Sequence, residues 1–233
     1  MGRLLAVASL GLAITAALAQ QQPKPDPLSA STMPCNNSAA TSLARLVFAQ
    51  DYFPGMRDAN GQFMGGTEAM WLAGHGGKLF AAVGYAQDRP GSDPKPGAQI
   101  LRKDAPDAPW VVDHGFEPNC MRVEGLISFA FTTDFHGKPL AKPARLLIAS
   151  PSELTRAGGT SSVFIRNDTT GRWQRSDIAT GNLGVRSFGS HVDKATGVHH
   201  IFAGLNRGGI YRGSYDSSAP GGHPMGDTSG AHR

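Results

Sequence analysis

Glu124-Gly125-Leu126-Ile127-Ser128-Phe129, Arg145-Leu146-Leu147-Ile148-Ala149-Ser150, Val163-Phe164-Ile165-Arg166-Asn167-Asp168 and Arg172-Trp173-Gln174 are four short apolar runs in succession. Gly, Pro, Asn, Asp and Thr separate them. None of them keeps a 3.6-residue period, and each is of strand length, so the stretch reads as four consecutive β-strands. The same order occurs twice more. Upstream it is Glu68-Ala69-Met70-Trp71-Leu72, Lys78–Val83, Gln99–Asp104 and Pro109-Trp110-Val111-Val112. Downstream it is Val185-Arg186-Ser187-Phe188, His199–Gly204 and Gly209-Ile210-Tyr211-Arg212, with no Trp strand after it.

Ala82, Ala149 and Ala203 serve as matching points, and the extra length falls in two expected loops, 87–98 and 134–144. One four-stranded antiparallel sheet cannot bury its faces alone, so sheets of this kind stack on one another. The middle strands are accordingly apolar on both sides. Gly (30) and Pro (16) supply the many turns that short strands need. The fold expected is therefore all-β, with antiparallel four-stranded units over residues 43–216.

Four short strands per unit at this period resemble the blades of the β-propeller superfamily, including its sialidase-like and kelch-like groups. The alternative is a β-sandwich of similar-looking strands. The resemblance covers about three blades, where a closed ring takes 4–8. Three readings meet the shortfall. Residues 43–66 supply a fourth blade, three blades pair with another chain by self-association, or the chain is a shortened form of a longer propeller. The last is favoured, because an open ring exposes sheet faces and strand edges.

The N-terminus reads as an export signal. Met1-Gly2-Arg3 carries positive charge, Leu4–Ala19 is uncharged, and Ala17-Leu18-Ala19 fits a signal-peptidase site. A spanning helix needs about 20 apolar residues, and the prolines at 23, 25 and 27 end any helix. Residues 1–19 are thus expected to be removed, giving a secreted or periplasmic protein with no membrane span. Residues 20–42 read as an irregular Pro/Ser/Asn-rich arm, and 217–233 as a polar disordered tail. In an oxidising compartment Cys35 and Cys120 are expected to form a disulfide, contributing about 4–5 kcal/mol by chain entropy. Two free thiols are the alternative. The net charge of +4 is scattered along the chain, so no nucleic-acid surface is expected.

Asn167-Asp168-Thr169-Thr170-Gly171-Arg172-Trp173 resembles the Asp-box turn of sialidase-like propellers, with Asn where Ser is expected and one extra residue before Gly. In that family the box is structural, its Asp capping backbone N–H groups. Arg102, Arg166 and Arg212 recur at what reads as one blade position. Glu68, Glu124 and Arg186 stand near the start of each innermost strand, where charges from adjacent blades line a channel mouth and converge on a polar ligand. His199 and His200 fall on opposite faces of a strand. His191-Val192-Asp193 leads into the hairpin turn Lys194–Gly197. No metal site, cofactor motif, P-loop or nucleophile elbow is expected, and no catalytic residue is assigned. The function expected is an exported recognition or scaffold domain for a glycan, small polar ligand or protein. The alternatives are a carbohydrate-active hydrolase or lyase, and a fragment without independent activity.

Overall fold

The computed structural model describes residues 47–85, 97–153, 160–181, 184–206 and 209–218, and the described residues from Ala49 on form one compact unit. All regular structure among them is β. A short hairpin, β1 (Met56–Arg57) and β2 (Phe63–Met64), precedes three meander sheets. Sheet 1 contains β3 (Glu68–His75), β4 (Lys78–Gly84), β5 (Gln99–Lys103) and β6 (Trp110–Gly115). Sheet 2 contains β7 (Cys120–Thr133), β8 (Pro139–Glu153), β9 (Thr160–Arg166) and β10 (Trp173–Thr180). Sheet 3 contains β11 (Val185–Val192), β12 (His199–Leu205) and β13 (Ile210–Ser214). Every neighbour within each sheet is sequential and antiparallel. The three repeated units of the sequence are these three sheets.

Sheet 2 lies between the other two. Phe80, Ala82 and Ile100 of sheet 1 pack against Leu126, Leu147 and Ala149 of sheet 2. The opposite face of sheet 2, with Phe131, Ile148, Val163 and Ile165, packs against Val185, Ile201, Ala203 and Leu205. Residues 49–66 cover the remaining face of sheet 1, where Tyr52 and Met64 meet Ala81, Val83, Leu101 and Trp110. Gln99, fully buried, fixes that cover by accepting from Gly65 N and donating to Phe63 O. Within the expected 43–66 region, the described residues 49–66 therefore contribute a covering layer and one hairpin rather than a fourth four-stranded sheet.

Register corrects two sequence expectations. Ala149 and Ala203 both face the preceding layer, whereas Ala82 faces the following one. The residue that matches them is Ala81. A one-residue slip in a strand exchanges its faces, and in strands that are apolar on both sides the composition does not reveal the slip. For the same reason Arg102, Arg166 and Arg212 do not share one position. Arg166 is cross-strand to Trp173, and its counterpart in sheet 1 is Lys103, cross-strand to Trp110. The expected 134–144 loop is also shorter than its composition suggested. It is a turn at 134–138, because β8 begins at Pro139 on an exposed extension.

That turn shows how the sequence makes hairpins here. Asp134 Oδ1 accepts from His136 N and Lys138 N, both at 2.9 Å, and Gly137 takes a positive φ of 78°. Asp58 with Gly61 repeats the design. In the Asp-box-like segment, the cap is Asn167 rather than Asp168. Asn167 Oδ1 accepts from Thr169 N and Thr170 N, and Gly171 carries the positive φ. The structural role expected of the box holds, transferred by one residue.

The corrected alignment exposes a repeated clamp. In sheet 1, Lys103 and Trp110 Nε1 both reach Asp51 of the covering segment. In sheet 2, Arg166 Nε and Trp173 Nε1 each reach Asp113 of β6 at 2.8 Å. Arg102 adds a further hydrogen bond to Asp113, whose side chain is 1% exposed. Burial pushes the Asp113 carboxyl up, but hydrogen bonds from Arg166 and Trp173 and the Arg166 charge outweigh it and hold the group below 3.8. A carboxyl depressed in the folded state contributes stability above its unfolded pKa, and that contribution is lost as pH falls below it. Asp113→Ala leaves Arg166 buried without its main partner and should cost about 3–5 kcal/mol. Urea denaturation at neutral pH should show this loss, with the gap between wild type and variant narrowing below about pH 4.

Candidate functional site

The first strands of the three sheets share a β-bulge at the same place, and β7 has two further register shifts, between Cys120 and Arg122 and between Phe131 and Thr133. On β3 the register runs Ala69↔Val83 then Trp71↔Ala82, leaving Met70 as the extra residue. On β7 it runs Val123↔Pro151 then Gly125↔Ser150, leaving Glu124. On β11 it runs Val185↔Leu205 then Ser187↔Gly204, leaving Arg186. A bulge breaks the in–out alternation and re-aims one side chain. Because β7 packs against both β3 and β11, the three bulges lie on neighbouring strands. Of the channel-mouth residues expected from sequence, Glu124 and Arg186 are thus equivalent by structure. Glu68 stands two residues ahead of its bulge, cross-strand to Gly84.

The structure brings Glu124 and Arg186 together. Glu124 has a side chain only 2% exposed, and Arg186 Nε lies 3.4 Å from its Oε2. Its Oε1 accepts from Arg122 Nε at 3.0 Å. Oε2 has no hydrogen bond, although it is buried. Gly184 leaves room for it, since a Cβ there would sit 2.9 Å from Oε2. Trp71 reaches across from β3 and donates its indole N–H to the Glu124 carbonyl at 2.7 Å, while 41% of the residue stays exposed. Glu68 has a second buried carboxylate oxygen without a partner. Its cross-strand neighbour Gly84 lies so close to Arg122 that a Cβ would stand 2.3 Å from the Arg122 Cβ. Trp71 and Arg122 gave no signal in the sequence reading, because their roles depend on contacts with distant strands.

The arrangement has two guanidinium groups held by one buried carboxylate, a second carboxylate on the neighbouring strand, and a partly exposed indole. Its formal charges balance. Charged donors fixed in place by an ion pair make strong, directional hydrogen bonds, and a buried oxygen left without a donor is a feature that needs an explanation. The set can offer donors and acceptors together to a neutral polar molecule.

Other polar residues have structural partners, some singled out in the sequence and some, like His75, not. His75, with a side chain 2% exposed, joins Ser128 Oγ (2.9 Å) and Asp168 Oδ2 (2.8 Å), and Asp168 also accepts from Arg166. This chain of contacts links three strands at the end away from the bulges. His199 and His200 do lie on opposite faces. His199 meets Phe129 edge-on, with ring centroids 5.0 Å apart, and His200 sits beside Phe202. Asp193 caps its turn by accepting from Ala195 N and Thr196 Oγ1. Among the described residues no three His, Cys, Asp or Glu side chains group as metal ligands, and no helix is long and apolar enough to cross a membrane. Cys120 is a buried thiol with no disulfide among the described residues. Burial, with Glu153 nearby, pushes it up to about 12. Cys35, its expected partner, lies outside the described residues, as do the signal segment, the 20–42 arm and most of the 217–233 tail.

Because Arg122 and Arg186 both reach solvent, Glu124→Ala should cost less than loss of Asp113. About 1–2 kcal/mol is expected, read as a lower urea midpoint with an unchanged slope. A fall as large as that of Asp113→Ala would show that Glu124 is a structural keystone instead.

No family model matches the chain, and no curated protein matches it. Among solved structures it is similar to a protein from Bifidobacterium bifidum s17 provisionally named as an exo-beta-1,3-galactanase. Identity is 13% and the TM-score 0.37, over 74% of this chain and 54% of that one. The chain thus spans about half the length of that structure, and the reading of function rests on the geometry of the site.

Proposed function

We propose that this is an exported recognition domain built of propeller-type sheets, binding a hydroxyl-rich ligand of the glycan class at the mouth formed by the three bulges. The observation that supports this reading is the Glu124–Arg186 pair. It stands on equivalent bulges of adjacent strands, with one buried carboxylate oxygen still lacking a donor. A sugar hydroxyl is both donor and acceptor. It supplies the missing donor to a carboxylate while accepting from a guanidinium, as Arg186 turns from Glu124 toward the ligand. Trp71 supports the same class, since an exposed indole face packs against the apolar face of a sugar ring. Polar groups few in number but fixed in orientation, beside an aromatic surface, are the usual composition of a small-molecule site. The uncharged run and cleavage pattern at residues 4–19 support export.

Calorimetric titration of the exported chain with a panel of neutral and acidic oligosaccharides tests this. Saturable binding is expected, weakened about ten-fold or more by Trp71→Ala and by Arg186→Ala. Binding unaffected by either substitution would remove the mouth as the site. Glu68 and Glu124 both carry a buried oxygen without a partner, so the same panel is to be followed for hydrolysis. Turnover that disappears in Glu124→Gln would replace recognition by catalysis.

A further inference from the structure

Sheet 3 differs from the other two sheets in one respect. Sheets 1 and 2 end in an outermost strand that starts with Trp, whereas sheet 3 ends at β13 among the described residues. The register makes the comparison residue by residue. Leu101, Phe164 and Tyr211 are equivalent, each cross-strand to the matched Ala81, Ala149 or Ala203. Two residues on, Lys103 and Arg166 are the cations of the clamp, and sheet 3 has Gly213 in that place. One residue on, Arg102 of sheet 1 corresponds to Arg212. Arg102 donates to Asp113 on the fourth strand of its own sheet. Arg212 is exposed, with no such strand beside it.

We propose that the free edge of β13 takes up a β-strand from a partner polypeptide: an extended segment that runs antiparallel to β13, starts with Trp, and carries an acidic residue three places after it, within reach of Arg212 as Asp113 is of Arg102. Three features of the edge support it. Leu205 N donates to Gly209 O, so by antiparallel alternation Tyr211 and Gly213 bond to β12. The N–H and C=O groups of Ile210, Arg212 and Ser214 then point outward. Ile210 is 76% exposed, and the edge lacks the proline, lysine or bulge that usually protects such a strand. The face of sheet 3 turned away from sheet 2 presents Phe202, cross-strand to Arg212, where the corresponding face of sheet 1 is packed by sheet 2. Strand addition of this kind draws its affinity from main-chain hydrogen bonds and its specificity from alternate side chains. A fourth strand meets each of these features. A second copy pairing β13 with β13 supplies neither the Trp nor the acid.

The test uses the full exported chain and a fluorescent peptide of the β6 sequence, residues 108–116, which contains Trp110 and Asp113. Fluorescence anisotropy should show saturable binding, weakened about ten-fold by Arg212→Glu in the protein and by Lys in place of the peptide's Asp. Restoration of affinity when the two changes are combined would identify the Arg212–acid contact. Absence of binding at millimolar peptide would overturn the proposal, as would binding indifferent to both changes. So would a dimer by light scattering that Arg212→Glu dissolves, since that result makes a second copy the occupant. Circular dichroism of Arg212→Glu, a substitution at an exposed position, establishes that the variant remains folded.

Discussion

A single buried carboxylate, Asp113, sets the geometry on which the rest depends. It sits at the outer strand of sheet 1 and receives Arg166 and Trp173 from sheet 2 and Arg102 from its own sheet. A buried charge is tolerated only when its partners neutralise it and fill its hydrogen-bonding sites, and those conditions are met in one relative placement of the two sheets. The apolar contacts between them, Phe80 and Ile100 against Leu147 and Ala149, are non-directional and do not fix that placement by themselves. The same device joins the covering segment to sheet 1 through Asp51, so one rule positions two successive layers.

The consequence reaches the opposite end of the strands. With sheets 1 and 2 fixed, β3 lies against β7 so that Trp71 crosses to the Glu124 carbonyl. With sheet 3 packed on the far side of sheet 2, β11 brings Arg186 to the Glu124 carboxylate. Each of the three strands has a bulge at this level. At the other end Asp113, His75 and Asp168 are each hydrogen-bonded to groups from distant strands. At the bulge end one carboxylate oxygen each of Glu68 and Glu124 is buried without a hydrogen bond, and the proposed recognition site rests on these groups.

Much of the fold is legible in the sequence because its information is local. Turns such as Asp134–Lys138 and Asn167–Arg172 show their cap and glycine directly, and the alternation of apolar runs with turns marks all three sheets. What is not legible depends on pairing. Lys78–Gly84 is apolar on both faces, so nothing in it distinguishes Ala81 from Ala82 as the repeat position. That ambiguity carried Arg102, Arg166 and Arg212 onto one position. A bulge is a relation between two strands, so the sequence does not mark Met70 as the counterpart of Glu124 and Arg186, and the charge of Glu68 points to the wrong position. The start of β8 read as loop because Lys142, Pro143 and the flanking alanines sit on an exposed hairpin extension, where packing does not select the residues. The contacts of His75 with Ser128 and Asp168 span 53 and 93 residues, beyond any sequence pattern.

The chain contains three tryptophans, each at a different place in this arrangement: Trp110 of sheet 1 against the covering segment, Trp173 at Asp113 and Trp71 at the bulges. Their indole N–H signals in a proton–nitrogen correlation spectrum of Trp-labelled protein therefore report the three places separately. Addition of an oligosaccharide that binds should move the Trp71 signal and leave Trp173 and Trp110 in place. Movement of Trp110 or Trp173 while Trp71 stays fixed would locate binding away from the bulges and contradict the mouth as the recognition site.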